Sequence, residues 1–195
     1  MIDVIVKNIL FFAKATVPGY TLFLQSEADE TRSLPIVVGQ FEAQSIALAL
    51  EQIKLNRPMT HDLLSNVIES TTDGLESVAI YAIKDGTFYA HLSIWKGNTL
   101  ETIDARPSDA IALALRSQKP IRVDSDVFKA AAVAMPINED NDGDSASSFT
   151  ENIQAITKQA EIRFDLERDL REAVSREDYE QAAMIRDRLH TLTNE

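Results

Sequence analysis

Cysteine is absent from the 195 residues, which excludes a disulfide framework, thiolate metal ligation and thiol nucleophiles. No apolar run approaches membrane-spanning length. The first residues lack the basic flank, apolar stretch and small-residue cleavage site of a secretory signal, so a cytoplasmic protein without a membrane partner is expected. The metal-binding patterns HExxH and DxDxDG are missing, as is a nucleotide-binding glycine loop. A basic surplus is missing too. The formal net charge is −12, spread as −4 over residues 1–137, −4 over residues 138–148 and −4 over residues 149–195. That balance excludes a protein gripping nucleic acid chiefly by counterion release. It leaves room for a catalyst that neutralises phosphates with metal ions or a local arginine.

What is present divides the chain into a domain over 1–137, an acidic flexible linker over 138–150 and a helical segment over 151–195. The 45% apolar content is enough for a real core. Residues 2–7 and 9–15 are β-rich runs, Pro18-Gly19 marks a turn, and residues 20–24 read as the returning strand. Residues 26–33 read as a polar loop and 34–39 as a further strand. Helical periodicity follows from Phe41 to Ile53, with apolar residues on more than one side. Thr60 is the expected cap of a short helix. Residues 75–84 and 87–95 alternate around Asp85-Gly86, a strong hairpin signal. Residues 99–104 form a strand that runs into Pro107, which suits the first position of a second long helix. Residues 121–123 form a short strand, after which Ser125 is expected to cap another helix.

Residues 46–50 repeat residues 111–115, and each copy is followed by a proline, a polar cap and an acid with two apolar residues. An internal strand–helix duplication around a shared sheet is expected. The fold class is α+β, a mixed sheet with packed helices, followed by an antiparallel helical hairpin. In that hairpin Ile162, Leu166, Leu170 and Ala173 face Ala182, Ile185, Leu189 and Leu192, with Ser175 as N-cap at the break. Two narrow stripes bury little, so homo-oligomer formation or a protein partner through 151–195 is expected.

Glu42, Asp62, Asp104 and Asp109 are hard oxygen donors at helix or strand ends, and His61 is a possible further ligand or general base. Such acids equally complement helix dipoles, and from spacing alone both readings stand. Arg106, between a strand end and a helix start, can clamp a phosphate or lock its own loop onto Asp104 or Asp109. Ser108 is a first-turn hydrogen-bonder or, if a base reaches it, a nucleophile.

These residues lie in three separated motifs: residues 35–50, the run Arg57-Pro58-Met59-Thr60-His61-Asp62-Leu63-Leu64, and residues 104–114. Together they closely resemble the bifunctional nuclease family over about residues 1–135. The run Asp178-Tyr179-Glu180-Gln181-Ala182-Ala183-Met184-Ile185-Arg186-Asp187 resembles the UVR motif of excision-repair nuclease subunits. The resemblance implies a mixed α+β nuclease domain with activity on DNA and RNA, followed by a helical-hairpin interaction module, and the leading expectation is a metal-assisted phosphodiester hydrolase with little sequence preference. The expected set is a divalent cation, Mg²⁺ or Mn²⁺, held by Glu42, Asp62, Asp104 and Asp109. His61, Arg106 and Asp109 are the expected catalytic groups, with Arg106 and Ser108 binding substrate. The alternative is a non-catalytic ligand- or partner-binding module recruited to a repair or stress complex through the hairpin.

Overall fold

The computed structural model describes residues 1–12, 19–134 and 162–193. The linker expected over 138–150, and the turn at Pro18, lie outside them. Strands β1 (Ile2–Phe12), β2 (Gly19–Ser26) and β3 (Asp29–Val38) make an antiparallel meander, followed by helices α1 (Gln40–Leu50) and α2 (Thr60–Thr71). A second meander, β4 (Leu75–Lys84), β5 (Thr87–Lys96) and β6 (Thr99–Ala105), leads into α3 (Pro107–Ser117). Then come β7 (Ile121–Val123), α4 (Ser125–Ala131) and β8 (Val133–Ala134). All eight strands form one sheet in the order β6-β5-β4-β7-β1-β2-β3-β8. The three-residue strand β7 runs parallel to β4 and antiparallel to β1, which makes the sheet mixed.

The two halves echo one another, each a three-stranded meander feeding a helix, arranged on either side of β7. Local chemistry explains the turns. Asp85 and Gly86 both have positive φ, 50° and 66°, the backbone a type I′ hairpin requires, and Lys84 pairs directly with Thr87. Pro107 opens α3 where no amide donor is needed, and Gln118 closes it in the left-handed region at φ 52°.

Several local expectations shift. Residues 2–12 are one strand with an irregularity between Val6 and Asn8. The polar loop of 26–33 is a tight turn, because Asp29 holds Thr31 and Arg32 and starts β3. The caps move by one residue: Met59 and Asp124 hold the N-cap positions of α2 and α4, and Thr60 and Ser125 are the first helical residues. Asp124 earns its position by accepting from the amides of Asp126 and Val127.

Leu22 and Leu24 of β2 enter the main core beside Val78, Ile80, Ala90 and Leu92, while Phe23 is fully buried on the other sheet face. Helices α1, α3 and α4 pack on that core. The repeated pentapeptide meets two fates. In α3 residues 111–114 are all buried, whereas in α1 only Ile46 of residues 46–50 is, and Phe41 is 78% exposed. The many-sided burial expected of α1 is found in α3 instead, because α3 lies centrally between α1, α2 and the sheet. Identical side chains there remove more apolar surface from water, each buried leucine or isoleucine contributing about 1.5–3 kcal/mol.

Helix α5 spans 162–175 and α6 spans Tyr179–Thr193. Leu166, Ala173 and Ala182 are buried along the expected seam. Ser175 ends α5 instead of capping α6; Asp178 takes that role by accepting from the Gln181 amide at 3.1 Å. Phe164 packs on the main core and Arg171 pairs with Asp126 of α4. Among the described residues no helix is long and apolar enough to cross a membrane.

Candidate functional site

The first turns of α1, α2 and α3 meet. Glu42 lies in the first turn of α1, His61 in that of α2, and Asp109 in that of α3, while Arg106 is the N-cap of α3. The Arg106 guanidinium donates through Nε to Asp109 Oδ2 at 2.8 Å and through Nη2 to Asp109 Oδ1 at 3.1 Å. Its Nη1 donates to Glu42 Oε1 at 3.1 Å. His61 Nε2 meets Asp109 Oδ1 at 3.1 Å, and its Nδ1 meets the hydroxyl of Ser45 at 2.8 Å. Ser45 stands one turn beyond Glu42 on α1. Ser45, His61, Asp109, Arg106 and Glu42 therefore form a hydrogen-bonded chain across three helices, closed into a ring by the backbone of α1 between Glu42 and Ser45.

The ring fixes protons as well as positions. An ionised Asp109 only accepts, so Nε2 of His61 carries a hydrogen. In the neutral imidazole Nδ1 is then the acceptor and the Ser45 hydroxyl donates. Burial works to raise Asp109, but the guanidinium of Arg106 and the imidazole of His61 outweigh it and hold the carboxyl below its ordinary range. A Cβ at position 39 would lie 2.4 Å from Glu42 Oε2, because the carboxylate folds back over the helix start, so glycine there leaves the Glu42 side chain in place.

A second layer lies beneath. Arg116, near the end of α3, donates through Nε to Asp62 Oδ1 at 2.6 Å and through Nη1 to the carbonyls of Ser45 at 3.2 Å and Ala112 at 3.0 Å. Asp62 also accepts from the Met59 amide at 2.8 Å. Burial acts to raise Asp62, and the Arg116 and Met59 bonds overcome it, so this carboxyl too lies below its ordinary range. Both groups bind protons less readily folded than unfolded. Their contribution to stability is complete above the unfolded carboxylate range and is lost as pH falls through the lowered folded values. Thermal melts are expected to fall from about pH 5 downward, and the variant Asp62→Asn/Asp109→Asn should show a flatter acid limb.

Of the residues singled out in the sequence, Glu42, His61, Arg106 and Asp109 are brought together. Ser108 is buried in the first turn of α3 and lines the adjoining cleft. Asp62 and Asp104 stand apart from the ring. One residue along α2 is a turn of 100°, which aims Asp62 at Arg116 instead of Asp109. Asp104 pairs in register with His91, whose neighbours Ala90 and Leu92 face the core, so strand alternation puts both on the sheet face away from the helices. The expectation that four carboxylates converge on one ion is corrected accordingly. Among the described residues no three histidine, aspartate or glutamate side chains are grouped to hold a metal. Glu42 and Asp109 remain as a pair bracketing Arg106, enough for an ion that takes one or two carboxylates and completes its shell with water and phosphate oxygens.

Sequence reasoning missed Ser45 and Arg116. Their signals were a serine within the apolar stripe of α1, three residues after Glu42, and an arginine seven residues after Asp109 on the same face of α3.

Arg106 and Glu42 border a cleft of about 500 Å³ formed by residues 35–39, 86–88 and 106–108. A model of the bifunctional nuclease domain matches residues 22–136, and a model of the UvrB/uvrC motif matches residues 159–192. An uncharacterized protein of Mycobacterium tuberculosis is 39% identical over 125 residues, which cover 64% of this chain and 74% of that one. Bifunctional nuclease 1 of Oryza sativa subsp. indica is 28% identical over 180 residues, 88% of this chain and 54% of the rice protein. Bifunctional nuclease 2 of Arabidopsis thaliana is 25% identical over 183 residues, with 88% and 55% covered. The chain spans about half the length of these plant relatives. The sequence motifs at 35–50, 57–64 and 104–114 all fall inside the matched nuclease domain, which carries the ring, and the chain belongs to the bifunctional nuclease domain family.

Proposed function

We propose that the protein is a cytoplasmic, metal-assisted phosphodiester hydrolase acting on DNA and RNA. The observation that carries this reading is the ring of Glu42, Arg106, Asp109 and His61 at the edge of the cleft, within a chain of the bifunctional nuclease family. Two carboxylates against one guanidinium leave one net negative charge, which repels a phosphodiester. A divalent cation, Mg²⁺ or Mn²⁺, held by Glu42 and Asp109 reverses that sign and supplies charge neutralisation at the phosphoryl oxygens.

Arg106, with a side chain 66% exposed, is the member free to turn from its carboxylates towards a phosphate, for which its planar fork is suited. Asp109, held below the ordinary carboxylate range, is a better holder of a cation than a proton acceptor. Hydrolysis takes a proton from water and gives one to the leaving oxygen. The proton carrier in the ring is His61, which Ser45 and Asp109 keep in one tautomer.

The test is incubation of the full chain with single-stranded DNA and RNA in Mn²⁺, with and without chelator. Cleavage abolished by chelation is expected. Cleavage that survives it removes the metal role, and no cleavage with any divalent ion removes the enzyme.

Gly39→Ala offers a finer probe. The added methyl displaces only the end of the Glu42 side chain, so stability is expected to change by less than about 1 kcal/mol. Cleavage should fall about tenfold or more through the misplaced carboxylate, measured as the initial rate on a labelled oligonucleotide beside a melt.

One observation favours a second reading, a non-catalytic binding module recruited through the 162–193 hairpin. Both nitrogens of His61 are engaged by protein groups. Under it, Arg106→Ala and Asp109→Asn leave no turnover to lose and preserve partner capture by the hairpin.

A further inference from the structure

The cleft beside the ring is poor in charge. Among the described residues that line it, Arg106 is the only cation and Glu42 the only acid. It therefore offers one phosphate contact, unlike the groove of lysines and arginines with which a protein tracks a nucleic-acid backbone. Any further recognition has to come from the remaining wall, which is apolar: Val38 at the end of β3, Phe88 behind the β4–β5 turn, and Pro107. Phe88 packs on the core and is only partly buried, so it is a ring held in place with area to offer. At Gly86 the space where a side chain would stand is open, which leaves the mouth unobstructed beside Phe88. At about 500 Å³ the cleft lies within the usual range for a small-molecule site.

We infer that this apolar wall takes one unpaired nucleobase, against Phe88, while the adjoining phosphate meets Arg106. The inference rests on the phosphodiesterase reading above and adds the substrate class: single-stranded nucleic acid. A base within a duplex is stacked on both faces and paired at its edge, and it reaches such a wall only after leaving the stack. An unpaired base needs no such step, and stacking on an aromatic ring tolerates any base identity.

The test is fluorescence anisotropy of the full chain in Ca²⁺ with three end-labelled probes: a thymidine hexamer, an abasic hexamer of the same backbone, and a hairpin duplex. The thymidine hexamer is expected to bind at least about fivefold more tightly than either of the others. Phe88→Leu should remove most of that preference and Phe88→Trp should keep it, with melts reporting the fold of each. Gly86→Asp, at an open position of the turn where aspartate tolerates positive φ, puts an acid beside Phe88 and should also abolish the preference, whatever the Phe88 variants do to stability. Equal binding of the thymidine and abasic hexamers, or a preference that survives both Phe88→Leu and Gly86→Asp, overturns the slot while the hydrolase reading stands on its cleavage assay. Binding of none of the probes, with no cleavage in Mn²⁺, overturns both.

Discussion

Asp109→Asn is expected to slow phosphodiester cleavage by about a hundredfold or more, with only a small loss of stability. The carboxylate takes three hydrogen bonds, two from Arg106 and one from His61. Asparagine keeps the shape and one acceptor but turns a donor towards a guanidinium or an imidazole that also donates. It also removes one of the two charges proposed to hold the divalent ion. The effect should fall mainly on kcat, because Arg106 remains able to meet a phosphate. Stability should drop by about 1 kcal/mol or less, since the Arg106 side chain is largely exposed and ion pairs in water contribute little. Initial rates on a single-stranded oligonucleotide in Mn²⁺, set beside a thermal melt, separate the two outcomes. A large fall in melting temperature with little loss of rate would mean that the ring is there to join helices.

Arg116→Met should do the reverse, weakening the fold first. The Arg116 side chain is only 10% exposed and its guanidinium satisfies Asp62 together with the carbonyls of Ser45 and Ala112. Methionine fills much of the volume and leaves three acceptors without that donor. Because Asp62 is partly exposed and keeps the Met59 amide, the expected destabilisation is about 2–3 kcal/mol, below the full penalty for an uncompensated buried charge. Urea denaturation measures it. Adding Asp62→Leu should recover part of the loss, because the stranded carboxylate is then gone. If Arg116→Met melts like the parent, the second layer contributes nothing to stability.

Strand alternation, the Asp85-Gly86 turn and Pro107 at a helix start are local signals, and the hairpins and α3 follow from them. The same locality explains the errors. Thr60 and Ser125 are good capping residues by type, but Asp124 and the Asp62 carboxylate already serve the free amides, so each helix begins on its best-looking cap, one residue earlier than expected. The paired arrangement of Glu42, His61, Arg106 and Asp109 could be anticipated because four chemically distinctive residues sit at helix starts. That Asp62 and Asp104 would be excluded could not. It depends on a 100° step along α2 and on which face of β6 meets the helices, both set by packing between parts of the chain far apart in sequence. Ser45 and Arg116 were hidden by the same circumstance, since each looks like an ordinary helical residue until α1, α2 and α3 are docked.

Among the described residues the sheet is joined between the two meanders by β7 alone, through three residues on each side. That is a short seam, and it would be the easiest place for the halves to part. Glu42, Ser45 and His61 belong to the first half, and Arg106, Asp109 and Arg116 to the second. The ring and its lower layer are thus a clasp across the seam, and the site exists only while both halves are closed on each other. A ligand gripping both sides of it would hold the whole sheet shut by mass action. Amide exchange at Ile121 and Val123 would then slow when the distant helix starts are occupied.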